Sequence, residues 1–572
     1  MRVLPDVAGI DKQFDYVVPE AWDADDRGRL VQVGSIVRIA LHGRRVGGWV
    51  VATDVEPPAG VRLQPLAKVS GLGPPADVVD RARWVAHRWA GRWGAVLRSA
   101  SPHRNVQKLP APRTSPTMVE PFASGLATAF DKHRAVVRLA PATDVYPVVL
   151  EAARRGNALI VAPDVAQARH LGVRLRRAGV PVAIVPDDWA AARAGATVIG
   201  ARTAALAPVV DLAAVVVLDE HVEALQEERN PTWHARDVAI ERADRAGVPC
   251  VLVSPSPTLE ALQWGPLLKP ARAAERRGWP RVDIIDRRDD DPVRGGLLSE
   301  HLTEVLRGPA PVVGVLNRKG RSRRLACAFC GELARHEPCG VPFRQEGDAE
   351  LLCPSCGETR PVICAFCGAG RFKNLRAGVS RLREEVEALA LRPVVEITGD
   401  SDDVPPAEIY LGTEAVLHRV PRARAVVFFD FDQELLAPRY RAAEQAMALL
   451  IRAARMVGER GDGGRVVVQT RLPSHPVLDA ARHADPSRFA EAERERRRPL
   501  QQPPFSAQAE VSGAAAAEFA ARAGTVDTLT VLGPLDDRYL IRAATSGELA
   551  DGLAYVERPS GRFRVAVDPP RV

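Results

Sequence analysis

The sequence predicts a multidomain α/β protein built around two parallel-sheet lobes, with a cysteine-rich module inserted at the start of the second. Three observations predict it. The chain has 572 residues, too many for a single hydrophobic core, and 46% of them are apolar, enough to bury several cores. Short apolar runs alternate with amphipathic helical patterns through the middle of the chain, as in doubly wound sheets. Seven of the eight cysteines fall within 41 positions, between two such stretches.

The first lobe is read from five runs. Ala158–Ala162 (ALIVA) precedes a helix near Val165–Ala178, and Val182–Val185 (VAIV) precedes another. Thr197–Ile199 leads into GARTAAL, Ala213–Leu218 (AAVVVL) ends in Asp219–Glu220, and Cys250–Val253 (CVLV) ends in SPSPTLE. After the cysteines the pattern resumes with Val394–Ile397, Glu408–Leu411 and Ala425–Phe429, the last ending in Asp430. Residues 1–102 read as short strands with Gly-rich turns, followed by one Trp- and Arg-rich helix near Val78–Arg98. Residues 103–125 read as a linker. From about residue 500 the strands Leu529–Leu532, Tyr539–Ile541 and Phe563–Val567 suggest a small α+β domain.

The cysteines carry the clearest chemistry. Cys327, Cys330, Cys353, Cys356, Cys364 and Cys367 form three C-x-x-C pairs, and Cys339 is the seventh of the group. Two thiolates of one tight turn can face a single tetrahedral metal. Two zinc ions need eight ligands, and His336 forms an H-x-x-C pair with Cys339 that supplies the eighth. The alternatives are a single zinc with leftover cysteines, idle buried thiols, or disulfides, for which C-x-x-C is a poor frame. Pairs joined to neighbours, or outer pairs nested around inner ones, suit the spacing equally. Cys250 is alone and apolar-flanked, as a core thiol is.

Composition excludes some classes. The apolar runs are short and broken by Arg, Asp or Pro, so no membrane span is expected. The N-terminal residues MRVLPDVAGIDKQFDY lack the apolar segment of a secretory signal, which predicts a cytoplasmic chain with reduced thiols. Net charge is +7, a mild lean toward anionic partners. RKGRSRR at 318–324 and RERRR at 494–498 concentrate that charge, as solvated faces or nucleic-acid contacts.

The order of parts resembles the PriA family, the primosomal N′ proteins of bacterial replication restart. Nearly the whole chain takes part. The marks are FDY at 14–16, GSIVRIALHGRRVGGWV at 34–50, WHARDVAIERA at 233–243 and LNRKGR at 316–321. They continue with the cysteine cluster, RYRAAEQ at 439–445, VVVQT at 466–470, QQPPF at 501–505 and VLGP at 531–534. The resemblance implies an N-terminal 3′-end DNA-binding β domain (1–102) and a linker (103–125) where family members usually carry a winged helix. It implies helicase-like (RecA-like) lobes at 126–270 and at 271–326 with 371–480, a two-zinc module at 327–370, and an α+β tail at 481–572. It also implies nested zinc pairing. Cys327, Cys330, Cys364 and Cys367 would hold one ion, and His336, Cys339, Cys353 and Cys356 the other, with His336 where the family usually has Cys.

The family's lobes hydrolyse ATP, and here that machinery has decayed. The P-loop position reads RLAPATDVYPVV (138–149), without glycine or lysine and with Asp144 poised to repel phosphate. VVVLDEH (215–221) keeps Asp219 and Glu220 at a strand end, read as a vestigial nucleotide site exposed to solvent. The third helicase motif reads Ser254-Pro255-Ser256-Pro257, and the two arginine-finger positions hold Met456 and Glu459. What remains by resemblance is DNA capture. Phe14 and Tyr16 would pack or stack on a terminal base, Asp15 would accept a hydrogen bond from it, and Lys68 would hold phosphate. The resemblance thus implies a restart protein without helicase activity that binds forked or 3′-ended DNA. Its partners would be other primosome proteins, a replicative helicase loader and single-stranded DNA-binding protein. The alternative is a DNA-dependent ATPase and 3′–5′ helicase with a divergent nucleotide site.

Overall fold

A computed structural model describes residues 1–572 except 23–27, 29–30, 57–59, 61, 114–126, 289–296, 317–324, 331–333, 335, 337–342, 347–349, 354–357, 375–378, 398–403, 438 and 571–572. The chain divides into two units: 1–271 with 439–441 and 490–572, and 272–438 with 442–489.

The first unit begins with a six-stranded sheet of order Gln64–Pro65, Phe14–Val17, Arg2–Pro5, Arg44–Ala52, Ile36–Leu41, Lys68–Gly71. Hydrogen bonds from Leu66 N to Val17 O and from Ala67 N to Arg38 O carry segment 64–71 from one edge to the other, rolling the sheet into a small barrel. Its interior holds Val3, Tyr16, Val37, Ile39, Val50 and Leu66. Alternation along each strand sends every second side chain outward.

The single helix expected near Val78–Arg98 is two, Ala76–Arg88 and Trp93–Ala100. Ala90 turns the chain with φ +46°. A side chain at Gly91 would lie 2.3 Å from the Pro231 ring, so the chain passes too close there for a continuous helix.

Next comes a seven-stranded sheet of order Leu267–Leu268, Arg134–Arg138, Cys250–Ser254, Leu212–Leu218, Asn157–Val161, Thr197–Gly200, Val182–Ile184, parallel throughout. The strands are buried on both faces, which is why they read as near-continuous apolar runs. Cys250 is a fully buried core thiol of this sheet. The tail forms a four-stranded antiparallel sheet, Thr530–Leu535, Arg538–Ala543, Ala507–Ser512, Arg564–Val567. It docks on the lobe through Thr232 Oγ1 to Val567 O (2.8 Å), Asn230 Nδ2 to Val565 O (3.0 Å) and Gln226 Nε2 to Asp568 O (2.7 Å).

The second unit is a six-stranded parallel sheet of order Arg281–Asp286, Arg465–Thr470, Ala425–Phe428, Val312–Val315, Ile409–Gly412, Val394–Ile397. Between Val315 and helix Val379–Ala390 sit two small antiparallel sheets that carry the cysteines. The multidomain α/β class, with two parallel-sheet lobes and a small N-terminal β domain, is thus what the chain adopts. Among the described residues no helix is long and apolar enough to cross a membrane.

Candidate metal centre and DNA-binding surface

Strand Leu325–Cys327 pairs antiparallel with Phe372–Asn374, placing Cys327 opposite Phe372. That ladder and the bond from Ala328 N to Arg371 O (2.9 Å) bring two C-A-F-C turns together. Gly368 closes the second turn at φ +75°, a conformation that suits glycine. The four Sγ atoms of Cys327, Cys330, Cys364 and Cys367 lie within 4.8 Å of one another. Cys327 Sγ is 3.4 Å from Cys367 Sγ, and Cys330 Sγ is 3.6 Å from Cys364 Sγ. Disulfide bonds are about 2.05 Å long, so neither contact is one. A tetrahedral metal with sulfur ligands at about 2.3 Å sets its sulfurs roughly 3.8 Å apart, close to these spacings. Backbone N–H groups of Cys330 and Phe329 pull the Cys327 thiol down to about 6, and those of Cys367 and Phe366 lower Cys364. The backbone of each turn therefore favours the thiolate at its first cysteine, whereas the neighbouring Cys327 and Cys364 sulfurs raise Cys367. They also expose Phe329 and Phe366, at 90% and 79%, rings the sequence reading did not single out.

Of the second ligand set, His336 and Cys353 are buried beside a small core of Leu325, Ala334, Phe343 and Leu351. His336 Nε2 lies 3.1 Å from Glu358, and its ring packs edge-on against Phe343. Cys353 N donates to Glu358 O at 2.8 Å. Cys339 and Cys356 lie outside the described residues.

The strand-end carboxylates differ from expectation. Asp219 and Glu220 are each 1% exposed, not solvent-facing. Glu220 accepts from Thr258 N (2.8 Å), Thr258 Oγ1 (2.8 Å) and Arg236 Nη1 (3.2 Å). Burial raises its pKa, and Arg236 and Thr258 oppose that rise. Arg236 also holds Asp237 at 2.8 Å. Ser254 Oγ bonds His221 Nδ1 at 2.8 Å and accepts from Ser256 N at 3.1 Å. At the degenerate P-loop, Asp144 accepts from Tyr146 N at the head of helix Tyr146–Arg154. Arg174 grips the same carboxylate at 2.9 and 2.7 Å, which lowers the Asp144 pKa. In the second unit Met456 is buried, and Glu459 caps the turn Arg460–Asp462.

The barrel places its candidate residues on two sides. Tyr16 is in the interior, its hydroxyl donating to Ala40 O at 2.8 Å, and Phe14 is partly buried against the same core. Asp15 faces outward and pairs with Arg2 at 2.9 Å. Lys68 is exposed on the outer face. In this conformation Tyr16 offers position and packing rather than an open ring.

A DNA-binding β domain joined to parallel-sheet lobes and a cysteine metal centre is a defined class of architecture. Residues 2–102 match the family model of the 3′ DNA-binding domain of PriA. The chain is 30% identical to a probable replication restart protein PriA of Mycobacterium leprae, over 93% of this chain and 90% of that protein. The Mycobacterium bovis counterpart is 29% identical over 97% and 91%. The PriA of Bacillus subtilis is 27% identical over 64% of this chain and half of its own length. The chain belongs to the PriA family of replication restart proteins.

Proposed function

We propose that this chain captures forked or 3′-ended DNA through its N-terminal barrel and serves replication restart as a binding scaffold, without hydrolysing ATP. The observation that carries the reading is a pairing. Residues 2–102 match a 3′ DNA-binding domain, while the P-loop position at 138–149 lacks glycine and lysine and the strand-end carboxylate Glu220 is bonded to Thr258 and Arg236. Phe14, Asp15 and Tyr16 would shape the end site, and Lys68 would hold phosphate beside it. Cys327, Cys330, Cys364 and Cys367 would bind one zinc; His336, Cys339, Cys353 and Cys356 would bind a second. The exposed Phe329 and Phe366 suit a module that docks other primosome proteins, a helicase loader or single-stranded DNA-binding protein. Work in the cytoplasm follows from that role.

The test compares affinity for a fork with a leading-strand 3′ hydroxyl, the same fork ending in 3′ phosphate, and plain duplex. Preference for the 3′-hydroxyl fork that falls in Phe14→Ala with Asp15→Ala supports the reading. Equal affinity for all three overturns it.

A further inference from the structure

Two cross-strand charge pairs of the barrel differ in sign. Arg2 and Asp15 stand directly opposite on neighbouring strands and form an ion pair. Arg38 and Lys68 also stand directly opposite, on strands Ile36–Leu41 and Lys68–Gly71, and both are exposed cations. Like charges in that position repel and weaken the ladder. Two residues along strand Ile36–Leu41, Ala40 faces Arg45, a third exposed cation on the same outer face. Among the described residues none of the three has an acidic partner or a hydrogen bond from its side chain. On its other side Arg38 faces Gly47, which has no side chain to shield it; a Cβ there would meet only Asp6 Cβ, at 3.8 Å.

We infer that Arg38 and Arg45 extend the phosphate contact proposed for Lys68 into a track on the outer wall of the barrel, taking the sugar–phosphate backbone of nucleic acid. Exposed, unpartnered cations at cross-strand spacing are costly to hold on a folded sheet and complementary to a repeating anion. The three span a strip only two residues long and two to three strands wide, matching a few consecutive phosphates more closely than a single small ion. Segment 64–71 touches both the strand of Lys68's partner and the strand of Phe14–Val17, so the track runs beside the proposed end site. The inference deepens the end-binding reading and rests on it for the choice of nucleic acid, but its test is separate.

The full chain would be titrated against a 3′-ended fork across a series of salt concentrations. Each phosphate contact contributes about 0.7–0.9 to the slope of log affinity against log salt. Arg38→Gln with Arg45→Gln is expected to lower that slope by close to two contacts, equally for 3′-hydroxyl and 3′-phosphate ends. Arg177→Gln, at an exposed position of helix Val165–Arg177, is the control and should leave the slope unchanged. An unchanged slope in the double variant, or an equal fall in the control, overturns the track. The melting temperature of the double variant should hold or rise, because a repulsion is removed. If it falls sharply, Arg45→Gln alone decides, with a loss of one contact expected and no loss refuting. A lowered slope without any end preference would sink the end-binding reading while the track stands.

Discussion

The strand ends of the first lobe and the two C-A-F-C turns of the second unit both gather polar atoms at loop tips, and they resolve them in opposite ways. At the ends of the lobe's strands two carboxylates have internal donors: Glu220 has Thr258 and Arg236, and Asp144 has Arg174 and the Tyr146 N–H. At the turns, four like groups converge within 4.8 Å of one another. A site closed by its own counter-charges must be desolvated and broken before a ligand enters. A site of converging thiols is held together best by a cation. Groups that already satisfy one another mark structure, and like groups brought close mark a place for a ligand. The same contrast separates Arg2–Asp15 from Arg38–Lys68 in the barrel.

The largest effect should come from the cysteines. Cys327→Ser with Cys364→Ser should remove one metal ion per chain and unfold its module, since structural zinc contributes on the order of 10 kcal/mol in small modules. Metal quantification and limited proteolysis read it; full metal content in the variant would break the contrast. At the strand end, Glu220→Ala leaves buried Arg236 with Asp237 and the Thr258 hydroxyl as partners and should cost roughly 3 kcal/mol in chemical unfolding. A near-neutral result would mean that the carboxylate is not a structural partner.

Acid sharpens the same point. His234 is half-buried and caps helix Ala235–Ala246 by accepting from Arg236 N through Nδ1, a task only the neutral ring can do. Burial holds its pKa down to about 3, from an ordinary 6.5. The unfolded chain takes up this proton near 6.5 and the folded chain only near 3, so its contribution is full above 6.5 and lost as pH falls through that window. His234→Asn keeps a capping acceptor without the titration and should flatten the acid limb of stability measured against pH. The smallest effect belongs to Asp144→Ala. Its ion pair is half-exposed, so thermal unfolding should register less than about 1 kcal/mol. Nucleotide binding appearing in this variant would show that the carboxylate had merely been blocking a working site.

The parallel lobes were legible because both faces of each sheet are buried, which writes apolar runs into the sequence. Spacing exposed the cysteine pairs, because two thiolates of one turn need C-x-x-C, but which two pairs share a site came only from the family resemblance, since the partners are 34 to 40 residues apart. The break between helices Ala76–Arg88 and Trp93–Ala100 was not legible, since it depends on Gly91 abutting Pro231, a contact made only in three dimensions. The burial of Glu220 was missed because its donors, Arg236 and Thr258, are 16 and 38 residues away. Arg38 and Arg45 stood inside a quoted motif, yet nothing in one dimension revealed that Arg38 faces Lys68.

The sharpest measurement is phosphate release from ATP by the full chain, with and without forked DNA, alongside zinc quantified on the same sample. A scaffold with two zinc sites and closed strand ends should carry two zinc ions per chain and show no DNA-stimulated release. DNA-stimulated release that vanishes in Asp219→Ala would contradict it.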